Sequence, residues 1–71
     1  LWELGRIYKI KGEYQKSLIY LEKLKDYKPS DHMVLYLLGE VYVKLGKDKK
    51  AKEHFDEAAK YPIEESFIPV K

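Results

Sequence analysis

Three adjacent residues, Ser30-Asp31-His32, carry the side-chain types of a nucleophilic relay. Adjacent positions point in divergent directions, so these three cannot pass a proton along a line of hydrogen bonds. They read instead as the start of a helix, with Ser30 or Asp31 as its cap. The two histidines, His32 and His54, are 22 positions apart and have no cysteine anywhere in the chain to join them. A shared metal is not expected, nor a disulfide.

Glu53, Asp56 and Glu57 form a carboxylate cluster within one short stretch. Lys49 precedes Glu53 by four, Lys52 precedes Asp56 by four, and Lys60 follows Asp56 by four. That spacing describes surface ion pairs along a helix, each worth a few tenths of a kcal/mol. General acid–base work needs a cleft and a shifted pKa, to which this pattern does not point. Lys44, Lys47, Lys49, Lys50 and Lys52 make one basic cluster. With a single arginine, no interleaved aromatics and acids directly following, it reads as a solvated helix start, and a nucleic-acid role is the minor reading. The glycines are too far apart for a phosphate loop. No catalytic residue, metal or cofactor is expected, and the chain is read as not an enzyme.

The elements that carry these residues follow from length and periodicity. The chain has 71 residues, net charge +2, 45% hydrophobic and 37% charged residues. This is one small globular unit, too apolar for disorder and less basic than dedicated nucleic-acid binders. No stretch approaches the ~20 apolar residues of a membrane span. Beginning at Leu1-Trp2 inside an apolar periodic stretch, without a signal pattern, the sequence reads as part of something longer.

Shifted by 34 positions, the chain matches itself. Leu1 falls on Leu35, Leu4 on Leu38, Gly5 on Gly39, Tyr8 on Tyr42, Gly12 on Gly46, Lys16 on Lys50 and Tyr27 on Tyr61. Chance would give about two identities over this overlap. Conservative pairs fill the gaps, among them Ile7 with Val41, Ser17 with Ala51 and Leu21 with Phe55. Leu1, Leu4, Gly5 and Tyr8 share one helical face, and Leu35, Leu38, Gly39 and Tyr42 repeat it. Gly12 and Gly46 stand where left-handed caps end these helices. Four helices are expected, at about 1–11, 13–27, 31–45 and 47–60. Gly5 and Gly39 should allow close helix approach, facing small or medium residues of the partner helices.

With its L-G-x-x-Y stripes, the sequence resembles the tetratricopeptide repeat (TPR) family over residues 1 to about 61. The departures are Leu1 and Leu35 where Trp is usual, Ser17 and Leu24 where Ala is usual, and Pro62 one residue early. The resemblance implies an all-α fold of two tandem helix-turn-helix TPR units stacked as an α-solenoid fragment. Residues 1–30 are the first repeat, truncated at its start, 31–61 the second, and 62–71 a tail or partial cap. Repeat packing falls to Leu4, Gly5, Tyr8, Ser17 and Leu21 in the first copy, and to Leu38, Gly39, Tyr42, Ala51, Phe55 and Ala58 in the second. Apolar tail residues such as Phe67 and Ile68 should fold over the last helix or dock on another molecule, because Pro69 would interrupt a third helix.

The resemblance also implies a concave groove. Its lining would be Trp2, Arg6 and Lys9 in the first copy, then Met33, Tyr36, Glu40 and Val43 in the second, with Lys44 at its edge. Arg6 and Glu40 occupy the same repeat slot, so opposite charges should stand side by side. Some family members grip a C-terminal carboxylate with Lys and Asn; Trp2, Arg6 and Leu37 occupy those slots here, so that clamp is not carried over. The implied function is a non-catalytic protein–protein interaction module or scaffold fragment binding a peptide or protein partner. The alternative is an oligomerisation segment of a multi-subunit assembly, with self-association through exposed repeat ends. Leu21-Glu22-Lys23-Leu24-Lys25, Pro29 and Leu38 through Gly46 resemble late repeats of anaphase-promoting complex scaffold subunits, a ubiquitin-ligase assembly. An intracellular location, cytoplasmic or nuclear, would go with either reading.

Overall fold

The computed structural model describes residues 2–61; Leu1 and the tail 62–71, on which the expected partial cap falls, lie outside the described residues. Four helices follow in order: α1 (Trp2–Ile10), α2 (Tyr14–Tyr27), α3 (His32–Lys44) and α4 (Asp48–Ala59). No strand occurs among the described residues.

The two glycine stops are the same device used twice. At Gly12, φ is +81°, and at Gly46 it is +78°. The amide of Glu13 donates to the carbonyl of Tyr8 at 2.9 Å, and that of Gly12 to Lys9 at 3.0 Å. One repeat later Lys47 donates to Tyr42 at 2.8 Å and Gly46 to Val43 at 3.0 Å. This double closure satisfies carbonyls that the helix end leaves orphaned, and it needs a residue that accepts positive φ. The turn between the repeats is closed differently. Of the two candidate caps, Asp31 takes the role: its carboxylate accepts from the amides of Met33 at 3.0 Å and Val34 at 3.3 Å.

Helix α3 is the centre of the molecule. It packs on α4, on α2 and on α1, while α1 and α2 pair with each other. Its Val34, Leu37, Leu38, Val41 and Tyr42 form one buried cluster with Leu21 of α2 and Ala51 of α4. Being enclosed on several sides, α3 is the most apolar of the four helices, whereas α1 and α4 keep their apolar residues to one face.

The glycines on the packing stripe work by a different complementarity from the one expected. A Cβ at Gly5 would lie 2.5 Å from Cδ2 of Leu21, and one at Gly39 would lie 2.6 Å from Cε1 of Phe55. Bare backbone thus receives a large side chain from the paired helix, not a small or medium one. The close approach is completed by Ser17, fully buried, whose hydroxyl donates to the carbonyl of Gly5 at 2.8 Å. Ser17 stands where repeats of this pattern usually carry Ala, and the hydroxyl is tolerated because that carbonyl has a second lone pair to offer. Its counterpart Ala51 is buried with no hydroxyl to satisfy.

Candidate functional site

The stripes of α1 and α3 that flank the packing face come together, though not with the pairing expected. Lys9 Nζ lies 2.6 Å from Glu40 Oε1, both side chains being largely covered. Arg6, the residue in Glu40's own repeat slot, is exposed and takes no part. Lys9 is nearly one turn further along α1 on the same face, and from that position its ammonium reaches the carboxylate on α3. The opposite charges therefore cancel between the two repeats and are not offered outward. Arg6 and Lys44 remain as exposed cations on this side.

Val43 is 48% exposed and lines, with Lys9, Glu40, Lys44 and Phe55, an open hollow of about 360 Å³. A second and larger hollow, about 480 Å³, lies against it. It is walled by His32, Tyr36, Phe55, Ala58 and Ala59, and Phe55 is the shared wall. Tyr36 is 42% exposed. Its ring stacks on His32, with centroids 6.3 Å apart and planes within 6°, and meets Phe55 at 5.4 Å and 56°. These are ordinary favourable aromatic separations, and they hold an apolar shelf open to solvent.

His32 is fixed by backbone. Its Nδ1 stands 2.8 Å from the carbonyl of Ala58 and 2.7 Å from that of Tyr61. Carbonyls only accept, so Nδ1 carries the proton and donates to both, closing the C-terminal end of α4. Asp31 caps one helix and His32 clasps another, so two of the three letters have structural roles.

One of the expected lining residues is placed differently. Trp2 is half-buried and packs against the central cluster, so it belongs to the repeat contact and not to an open groove. Met33 is also half-buried. Of the expected packing residues, Leu4 is 40% exposed, because among the described residues nothing covers that side of α1. Its counterpart Leu38 is fully buried by α2 and α4.

A polar cluster that sequence reasoning did not find lies where α2, α3 and α4 meet. The Tyr42 hydroxyl donates to Glu22 Oε2 at 2.7 Å. Burial, then that hydrogen bond and the Glu22 charge, push the phenol up to about 12. His54 is buried beside it, ring centroids 5.0 Å apart. Its Nδ1 faces the Lys50 carbonyl at 2.8 Å and its Nε2 faces Lys25 Nζ at 3.1 Å. The carbonyl requires a proton on Nδ1 and the ammonium a lone pair on Nε2, so the ring is neutral and its tautomer is set from both sides. Lys50 also sits over the Tyr42 ring at 5.7 Å. The only sequence signal was the pair Tyr20 and His54 at one repeat slot, which marks a polar aromatic position without naming its partners.

Of the expected carboxylate pairs, Lys52–Asp56 forms at 3.0 Å on the exposed surface of α4. Among the described residues no group of three or more His, Asp or Glu side chains could hold a metal ion. No described helix is long and apolar enough to cross a membrane.

Residues 1–31 match one family model described as tetratricopeptide repeat, and residues 32–61 match a second with the same description. No curated protein and no solved structure matches the chain.

Proposed function

Since the chain belongs to the tetratricopeptide repeat family, we propose that it binds a peptide or protein segment along the face shared by α1 and α3. The family points to a protein–protein interaction module, typically non-catalytic. What favours this particular face is the hollow beside Val43, an exposed apolar side chain bordered by a cation with no neutralising partner among the described residues. Exposed apolar surface rimmed by charge is the common form of a partner site. Because Lys9 already neutralises Glu40, the charge left to a partner is that of Arg6 and Lys44. The segment bound is therefore an acidic one, carrying an aliphatic or aromatic residue for the hollow beside Val43.

Selection from a displayed peptide library, followed by anisotropy titration, tests this. Acidic peptides with one apolar anchor should be recovered, and Arg6→Glu with Lys44→Glu should lower their affinity at least tenfold. Recovery of basic peptides, or affinity untouched by those substitutions, removes the face from consideration.

A second reading is an oligomerisation segment of a multi-subunit assembly, such as a ubiquitin-ligase scaffold. In its favour are two apolar surfaces uncovered among the described residues, at Leu4 and Ile7 on α1 and at Tyr36 and Phe55 on the other end. The mass of the chain in solution at rising concentration separates the two readings, since a peptide-binding module alone predicts no change.

A further inference from the structure

The larger hollow has a filled counterpart inside the same molecule. Moved back by 34 positions, its walls Tyr36, Phe55, Ala58 and Ala59 become Trp2, Leu21, Leu24 and Lys25. In the first repeat, Trp2, Leu21 and Leu24 pack in one cluster with Val34, Leu37, Leu38 and Val41 of α3. Leu21 is 0% exposed as a result, whereas Phe55, its counterpart, is only half-buried. Ala58 stands where the first repeat has Leu24, and the smaller side chain leaves room there for an incoming one.

The other half of that contact is also on display. Leu38 and Val41, fully buried where α3 meets the first repeat, correspond to Leu4 and Ile7 of α1. Those two are 40% and 47% exposed. The described residues thus present, on α1 and beside Phe55 of α4, both halves of an interface that they already make once internally.

We propose that a second copy of this chain lays the Leu4–Ile7 stripe of its α1 into the hollow walled by Tyr36, Phe55, Ala58 and Ala59, in the register in which α3 packs on α1 and α2. This rests on the assembly reading and gives it a direction. The contact is heterologous: each copy uses a different surface from its neighbour, so the association does not close at a dimer. It continues the stacking rule of repeat proteins, in which each unit contacts only the next. Glu3 stands where α3 has the buried Leu37, so the contact is weaker than the internal one and depends on concentration. The peptide face at Val43 and Lys44 is a neighbouring surface and stays separately testable.

Sedimentation of the full 71-residue chain over a hundredfold range of concentration should show an average mass that rises without a plateau at the dimer. Ile7→Glu blocks one face and Ala59→Glu the other; both positions are exposed, and unchanged helical circular dichroism verifies folding. Each variant alone should be monomeric. Their equimolar mixture should form a one-to-one dimer and stop there, because only one productive contact remains. A mixture that stays monomeric, or a single variant that still dimerises, overturns the head-to-tail arrangement. A wild-type chain that is monomeric throughout overturns it as well. If that monomer associates once Phe67→Asp is introduced, the occupant of the hollow is the chain's own tail and not a second copy. Arg6→Glu with Lys44→Glu should leave the mass distribution unchanged while lowering peptide affinity at least tenfold, so failure of either reading shows by itself.

Discussion

The ammonium of Lys9 meets the carboxylate of Glu40 at 2.6 Å, tying the first helix of one repeat to the first helix of the next. Neither residue is in the other's repeat slot, so the pair fixes the offset between repeats and not merely their contact. Both side chains are less than a third exposed, which places the pair between surface ion pairs and buried ones. A double-mutant cycle with Lys9→Met and Glu40→Gln should give a coupling of about 0.5–1 kcal/mol. That coupling should shrink between low and molar salt. A coupling of zero at low salt would mean that the offset is set by the apolar cluster alone.

Gly5 and Gly39 should respond differently to the same substitution. Alanine is favoured over glycine inside a helix by about 1 kcal/mol. Against this, the new methyl would stand 2.5 Å from Leu21 at position 5 and 2.6 Å from Phe55 at position 39. Leu21 is sealed inside the central cluster and has nowhere to move. Phe55 borders two open hollows and can swing its ring aside. Gly5→Ala should therefore cost about 1–3 kcal/mol, as overpacking does, and Gly39→Ala close to nothing. Thermal unfolding of the two variants checks the order. Equal losses would show that Phe55 is held as firmly as Leu21.

These two glycines also show how far the sequence could be read. Their 34-residue repetition, with Tyr8/Tyr42 and Gly12/Gly46, identified four helices and their order, because packing at those slots tolerates few residue types. Register came through for the same reason. What each glycine faces was not legible, since the repeat aligns Leu21 with Phe55 but does not say which contact the missing side chain makes room for. Charge pairing was misread at Arg6 for a related reason. Equivalent slots in stacked units are neighbours along the array, but Lys9, three positions beyond Arg6, is the one that meets Glu40, and side-chain pairing does not follow the repeat. Trp2 looked like an interface residue by type, while its burial depends on how α3 lies over it. The cluster of Tyr42, Glu22, His54 and Lys25 draws on three helices, and the repeat slots shared by Tyr20 and His54 and by Tyr8 and Tyr42 do not name the partners.

Tyr42 should give alkaline unfolding a measurable slope. Its phenol titrates at about 12 in the folded chain against 10.0 for the unperturbed group, mainly because of burial. Between those values the unfolded chain has lost the proton and the native chain keeps it. Stability from this group is complete below pH 10 and drains away as pH rises toward 12, by on the order of 2 kcal/mol. Other tyrosines and lysines titrate in the same range, so the quantity to compare is the difference between wild type and Tyr42→Phe. Denaturant midpoints at pH 9 and pH 11 should fall further for wild type than for the variant. Parallel declines would indicate that the Tyr42 hydroxyl is reached by solvent in the native state.

The clasp made by His32 should be visible as local, not global, stability. Its protonated Nδ1 joins α3 to the carbonyls of Ala58 and Tyr61, and its ring supports Tyr36 on the shelf. Removing it leaves two carbonyls at the end of α4, where solvent can replace the lost donor. His32→Ala should therefore cost only about 1–2 kcal/mol overall, in keeping with a single shared hydrogen bond at a half-buried site. The larger effect should appear in hydrogen exchange. The amides of Lys60 and Tyr61, which donate to the carbonyls of Glu57 and Ala58, should lose protection first, since the last turn of α4 then opens without unfolding the rest. Amides in α1 and the first half of α2 should exchange as before. Uniform loss across all four helices would place His32 in the cooperative core, and loss confined to α3 would mean that the ring holds Tyr36 and not the end of α4.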